Sequence, residues 1–124
     1  MHLGAFSVSL TVADIATSHA FYEKLGFSEA GGDQDQGWLV LRSGDTTIGL
    51  FQGMFDKNLM TFNPGWGPQA QPLAEPFEDV RAIQARLKAA GVALIEETDP
   101  EGSGPGFITL EDPDGNPILI DQHV

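Results

Sequence analysis

Phe6, Val8, Leu10 and Val12 alternate with Ser7, Ser9 and Thr11. A period of two with one apolar and one small polar side predicts a strand packed on one face and open on the other. Asp14 follows as an N-cap for a helix whose broad apolar stripe is Ile15, Ala16, His19, Ala20, Phe21 and Tyr22, and Gly26 stops that helix. Residues 31–36 read as a turn, 38–42 as a strand, 43–45 as a tight turn and 46–52 as the next strand. Val80, Ile83 and Leu87 then give helical spacing after Asp79, with Arg81, Gln84, Arg86 and Lys88 on the solvated side. Strands are expected over 93–97, 107–111 and 117–122. The last two flank Asp112-Pro113-Asp114-Gly115-Asn116, a hairpin in which Pro113 presets one turn dihedral.

The second half repeats the first. Asp14 and Asp79 are 65 residues apart, as are the helix stops Gly26 and Gly91. Gly37-Trp38-Leu39-Val40-Leu41 matches Gly106-Phe107-Ile108-Thr109-Leu110 at 69, and Ile48-Gly49-Leu50 matches Ile118-Leu119-Ile120 at 70. A duplicated unit predicts a pseudo-symmetric cup with its functional surface on the inward strand faces. The layout is one domain over 1–124: module one about 5–53, a linker about 54–70, and module two about 71–124. The linker carries Met54, Phe55, Leu59, Met60, Phe62 and Trp66, too much apolar surface to hang in water. It should cover an interface or lid the cup.

Composition narrows the chemistry. The 124 residues suffice for a single core. Cysteine is absent, which removes thiolate ligands and thiol nucleophiles and fits a cytoplasmic location, and neither a leader nor a membrane-length apolar run is visible. A net charge of −12 argues against nucleic acid or an anionic membrane as partner.

Two copies of strand-helix-strands with a Ser9-Leu10-Thr11-Val12-Ala13-Asp14 start, a helix bearing Phe21-Tyr22-Glu23-Lys24-Leu25-Gly26-Phe27, and Asp112-Pro113-Asp114-Gly115-Asn116 near the end resemble the vicinal oxygen chelate superfamily. That group includes glyoxalase I, bleomycin-resistance proteins and extradiol dioxygenases. The resemblance implies an α+β fold of two tandem βαβββ modules, eight strands in an open curved sheet, and a divalent metal held by four strand positions. Here those positions fall on Ser7, Gly49, Pro72 and Leu119, which offer at best one neutral hydroxyl where imidazole or carboxylate is needed. No metal and no other cofactor are expected. A displaced site from Glu111, Asp121 and His123 is the one alternative the residues allow.

By alternation the cup is lined by Ser7, Ser9, Thr11, Trp38, Val40, Thr47, Gly49, Phe51, Phe107, Thr109, Leu119 and Asp121. Gly49 should leave space on its floor, and Trp38, Phe51 and Phe107 suit stacking on a planar ligand. The favoured reading is metal-independent binding of a small apolar or aromatic, neutral or cationic molecule. The others are a lyase, isomerase or dioxygenase with relocated ligands, and a non-catalytic scaffold. Unpaired module edges make a homodimer the expected state.

Overall fold

The computed structural model describes every residue from Met1 to Val124. It contains two helices and seven strands: β1 (Ala5–Thr11), α1 (Ile15–Lys24), β2 (Ser28–Asp33), β3 (Trp38–Ser43), β4 (Thr46–Phe51), β5 (Leu59–Asn63), α2 (Val80–Ala89), β6 (Gly106–Glu111) and β7 (Pro117–Gln122). The chain divides into two compact units, one of residues 7–59 and one of 1–6 with 60–124. No helix is long and apolar enough to cross a membrane.

In the unit of residues 7–59 the strands run β2-β3-β4-β1, with β1 parallel to β4 and the other pairs antiparallel. Register places Val8, Ile48 and Leu41 in one row and Leu10, Leu50 and Leu39 in the next. These side chains face α1 and form a core with Ile15, Val12, Tyr22 and Phe27. Each fully buried leucine of this kind contributes about 1.5–3 kcal/mol through burial. The Asp14 carboxylate accepts from the amides of Ala16 and Thr17, and Gly26 ends the helix at φ 97°. The apolar stripe expected on α1 is narrower than its sequence suggests. Ile15 is buried, whereas Ala16, Ala20 and Phe21 are exposed and His19 is held by Gln34 and Glu23.

In the other unit β7 lies between β5 (parallel) and β6 (antiparallel). Ile108, Ile120 and Phe62 share one row, Leu110, Ile118 and Met60 the next, and the core adds Val80, Ile83, Leu87 and Val92 from α2 and the segment after it. Asp79 caps α2 as Asp14 caps α1. After α2 the amide of Val92 bonds back to the Leu87 carbonyl, just as Phe27 bonds back to Tyr22 after α1. The 65-residue offset therefore holds through the helices. Beneath Asp79, the buried Gln122 amide accepts from the Val80 amide at 2.7 Å and donates to Asp79, Gly104 and Val124.

Three expectations fail. Residues 93–97 are not a strand: the amides of Ile95 and Glu96 both converge on the Thr109 carbonyl, so the ladder cannot advance past a single Glu96 to Thr109 bridge. Seven strands result rather than eight. Residues 28–33, whose second half reads as a turn, form β2. The stretch SEAGGD has no β-branched or aromatic residue to announce a strand, and pairing with β3 imposes one, with a bulge between Glu29 and Gly31. Finally, the segment assigned to a linker contains β5, and the chain needs residues 64–78 to travel from β5 to α2. Much of that passage is a small hairpin in which Gly67 and Leu73 donate to the Gln71 and Gly65 carbonyls.

Candidate functional site

Opposite the core of the 7–59 unit, register builds a second face in three rows. Ser7, Thr47 and Arg42 form the first, Ser9, Gly49 and Val40 the second, and Thr11, Phe51 and Trp38 the third. All the residues that alternation assigned to β1, β3 and β4 therefore stand side by side. Ser9 and Gly49 are buried at the centre, and the others are partly buried. Successive rows are about 6.7 Å apart along a strand, and adjacent strands about 4.8 Å.

Gly49 does not leave open space. A Cβ built on it would lie 2.6 Å from Phe51 Cε2 and 3.3 Å from Cζ, so the Phe51 ring folds back along β4 and covers the glycine. Phe55 supports that ring at 5.1 Å between centroids and 48° between planes. The volume in which a longer side chain would stand is already filled by phenyl. Sequence reasoning placed both residues on this face but could not see the χ angles that bring them together.

One residue of the face was missed. The alternation that selects Trp38 and Val40 reaches Arg42 two positions later, so the signal was present. Arg42 is partly buried, its Nε donates to Thr47 Oγ1 at 3.1 Å, and it takes part in none of the ion pairs.

The second unit has a corresponding face, with Phe107 opposite Asp121, Thr109 opposite Leu119, and Thr61 beside Leu119. Thr109 Oγ1 is buried there without a hydrogen-bond partner, an orphan of the kind a ligand can satisfy. Asp121 Oδ2 lies 3.1 Å from His123 Nε2, whose ring stacks on Trp66 at 4.4 Å and 10°. Glu111 pairs with Pro117 at the far end of β7, whereas Phe107 pairs with Asp121, so the alternative Glu111, Asp121 and His123 site is not assembled. Four residues of strand, about 13 Å, separate its ends.

Strand register also relocates one position implied by the resemblance. Val8 pairs with Ile48 and Met60 with Ile118; since Ile48 matches Ile118 in the repeat, Met60 answers to Val8, and Leu59 rather than Pro72 answers to Ser7. The 65-residue spacing misled because it belongs to the helices, while β5 begins earlier in its module. The set becomes Ser7, Gly49, Leu59 and Leu119. Neither glycine nor leucine carries a donor, and no three His, Cys, Asp or Glu side chains are grouped to hold a metal ion. The donor set does not fit the divalent cation that the resemblance implies.

Comparison with known proteins places these features. The family model described as Glyoxalase/Bleomycin resistance protein/Dioxygenase superfamily matches residues 4–120. No curated protein matches the sequence. Among solved structures, a member of that superfamily from Vibrio splendidus 12B01 superposes with TM-score 0.64 at 16% identity, covering 94% of this chain and 97% of its own. A Legionella pneumophila protein named as an NAD-dependent benzaldehyde dehydrogenase gives TM-score 0.67 at 14% identity, with coverage of 96% and 99%. A homoprotocatechuate 2,3-dioxygenase variant from Brevibacterium fuscum gives TM-score 0.59 at 22% identity; this chain is covered completely but spans only 33% of the dioxygenase. At such identities the likeness is one of fold.

Proposed function

Because the chain belongs to the glyoxalase/bleomycin resistance protein/dioxygenase superfamily, we propose that it binds a small, largely apolar or aromatic molecule on the face carrying Trp38, Gly49 and Phe51, without a divalent metal at the family's positions. The observation that carries this reading is the Phe51 ring lying over Gly49. It replaces a charged, metal-binding floor with a hydrocarbon one, and a planar ligand gains about 0.5–1.5 kcal/mol from each aromatic ring it meets in good geometry. Hydroxyls of Ser7, Ser9, Thr11 and Thr47 border this aromatic part of the face. That combination of apolar wall and sparse polar groups is the make-up of a small-molecule site.

Two measurements on untagged protein test the reading. Elemental analysis should find transition metal well below one equivalent, and a thermal-shift screen of aromatic compounds should yield ligands that raise the melting temperature whether or not a chelator is present. A stoichiometric metal held by native side chains would overturn the metal-free reading. A screen in which no aromatic compound stabilises the protein would overturn the binding reading.

We further propose a homodimer. Phe21 on α1 and Leu25 at its C-terminal cap stand exposed, and β2 has β3 as its only strand neighbour. Light scattering at micromolar concentration should give twice the 13.3 kDa chain mass; a monomer across the concentration range would refute this.

A further inference from the structure

The chain contains three arginines. Arg81 is bound by Asp79 and by the carbonyls of Gly104 and Pro105, and Arg86 is paired with Glu78 at 2.9 Å. Arg42 has no carboxylate partner, although the chain has 18 acidic residues to offer one. Its single side-chain bond goes through Nε to the neutral Thr47 hydroxyl on the neighbouring strand. This bond draws the guanidinium from β3 toward β4 and leaves the Nη1 and Nη2 fork for another acceptor. A partly buried, unneutralised guanidinium is costly unless something anionic meets it.

The neighbours say what kind of anion. Thr47 and Gly49 are two residues apart on β4, so the point to which Arg42 leans and the residue that Phe51 covers are separated by about 6.7 Å. Ser7 lies beside Thr47 on the next strand and supplies a further hydroxyl. A fork that matches carboxylate geometry therefore stands one row from an aromatic ring, on a face whose intervening surface is small or apolar. The spacing suits an acid group joined directly, or through one carbon, to a planar ring.

We propose that Arg42 is the anion anchor of this face and that the ligand is a small planar aromatic carboxylate, its acid group on the Arg42 fork and its ring against Phe51. The inference rests on the binding reading given above and deepens it. It replaces the neutral or cationic ligand expected from net charge, because one local guanidinium within hydrogen-bonding distance outweighs dispersed surface carboxylates that solvent and salt screen.

Isothermal titration with three matched probes, 1-naphthoate, 1-naphthamide and 1-naphthylmethylammonium, tests it. The wild-type protein should bind the carboxylate at least about tenfold more tightly than the amide, and the ammonium most weakly. In Arg42→Met, which keeps the apolar stem, carboxylate and amide should bind alike, with the amide affinity close to wild type. Arg42→Lys should retain part of the preference, since it keeps the charge and loses the fork. Equal binding of acid and amide by the wild type, or a preference that survives in Arg42→Met, overturns the role of Arg42 while leaving aromatic binding intact. Failure of all three probes to bind overturns this inference and counts against the binding reading beneath it. The wild-type comparison needs no variant, so an unstable Arg42→Met does not shelter the proposal.

Discussion

Gly49→Ala asks whether the Phe51 ring truly occupies the space above β4. Gly49 has no left-handed backbone to defend, so on conformational grounds alanine should stabilise this strand by about 0.5–1 kcal/mol relative to glycine. The new methyl, however, would sit 2.6 Å from Phe51 Cε2, and the ring, which also packs on Phe55, must shift to admit it. Overpacking of this kind costs about 1–3 kcal/mol. The net effect in the wild type is a loss of between about 0 and 2.5 kcal/mol. In a Phe51→Ala background the obstacle is gone, and the same substitution should instead stabilise by about 0.5–1 kcal/mol. The two residues are thus coupled by about 1–3 kcal/mol, measurable as a double-mutant cycle from urea denaturation of the four proteins. A cycle that closes within the roughly 0.3–0.5 kcal/mol typical of independent sites would show that the ring does not cover the glycine. The structural basis for a hydrocarbon floor would fall with it.

Gln122→Leu removes the acceptor of the buried Val80 amide and a donor to Asp79, Gly104 and Val124; urea denaturation should record a loss of about 2–4 kcal/mol, and a change under 1 kcal/mol would refute the hub role. Burial alone would raise the Asp79 carboxyl, but bonds from the Gln122 side chain, then from the Arg81 amide and guanidinium, leave it below its usual 3.8. Asp112 is likewise depressed, first by the Asn116 side chain and then by the Asn116 amide. Groups depressed on folding stabilise the native state above their unfolded pKa, and that contribution is lost as pH falls through the folded value. Stability should therefore decline below about pH 4, and Asp79→Asn should flatten that decline; an unchanged acid slope would remove Asp79 as a cause. Ile83→Ala, in the second core, should cost about 2–5 kcal/mol by thermal or urea unfolding, and a loss below 1 kcal/mol would show that the site collapses freely.

Much of the architecture is local in origin and was readable as such. Strict alternation placed Val8 and Leu10 on the helix-packed face and Ser7 and Ser9 on the opposite one, because successive side chains of a strand cannot share a face. Asp14 and Asp79 marked helix starts because a short side chain can reach the first free amides, and Gly26 and Gly91 marked the ends because both take positive φ. Asp112 to Asn116 announced its turn through bonds made within five residues.

What remained hidden depends on partners distant in sequence. No propensity in Ser28–Asp33 declares a strand; β3 makes it one. The position of β5, and hence the replacement of Pro72 by Leu59 as the counterpart of Ser7, follows from pairing with β7, more than 50 residues away. A repeat offset cannot reveal this when an insertion separates strand from helix. The content of the candidate site divides along the same line. Residue identity and alternation determined which side chains share the face, Arg42 included. Only the folded chain decided that Phe51 lies over Gly49 and that Arg42 bonds Thr47 rather than a carboxylate, because rotamers and charge pairing are set by neighbours that sequence order does not bring together.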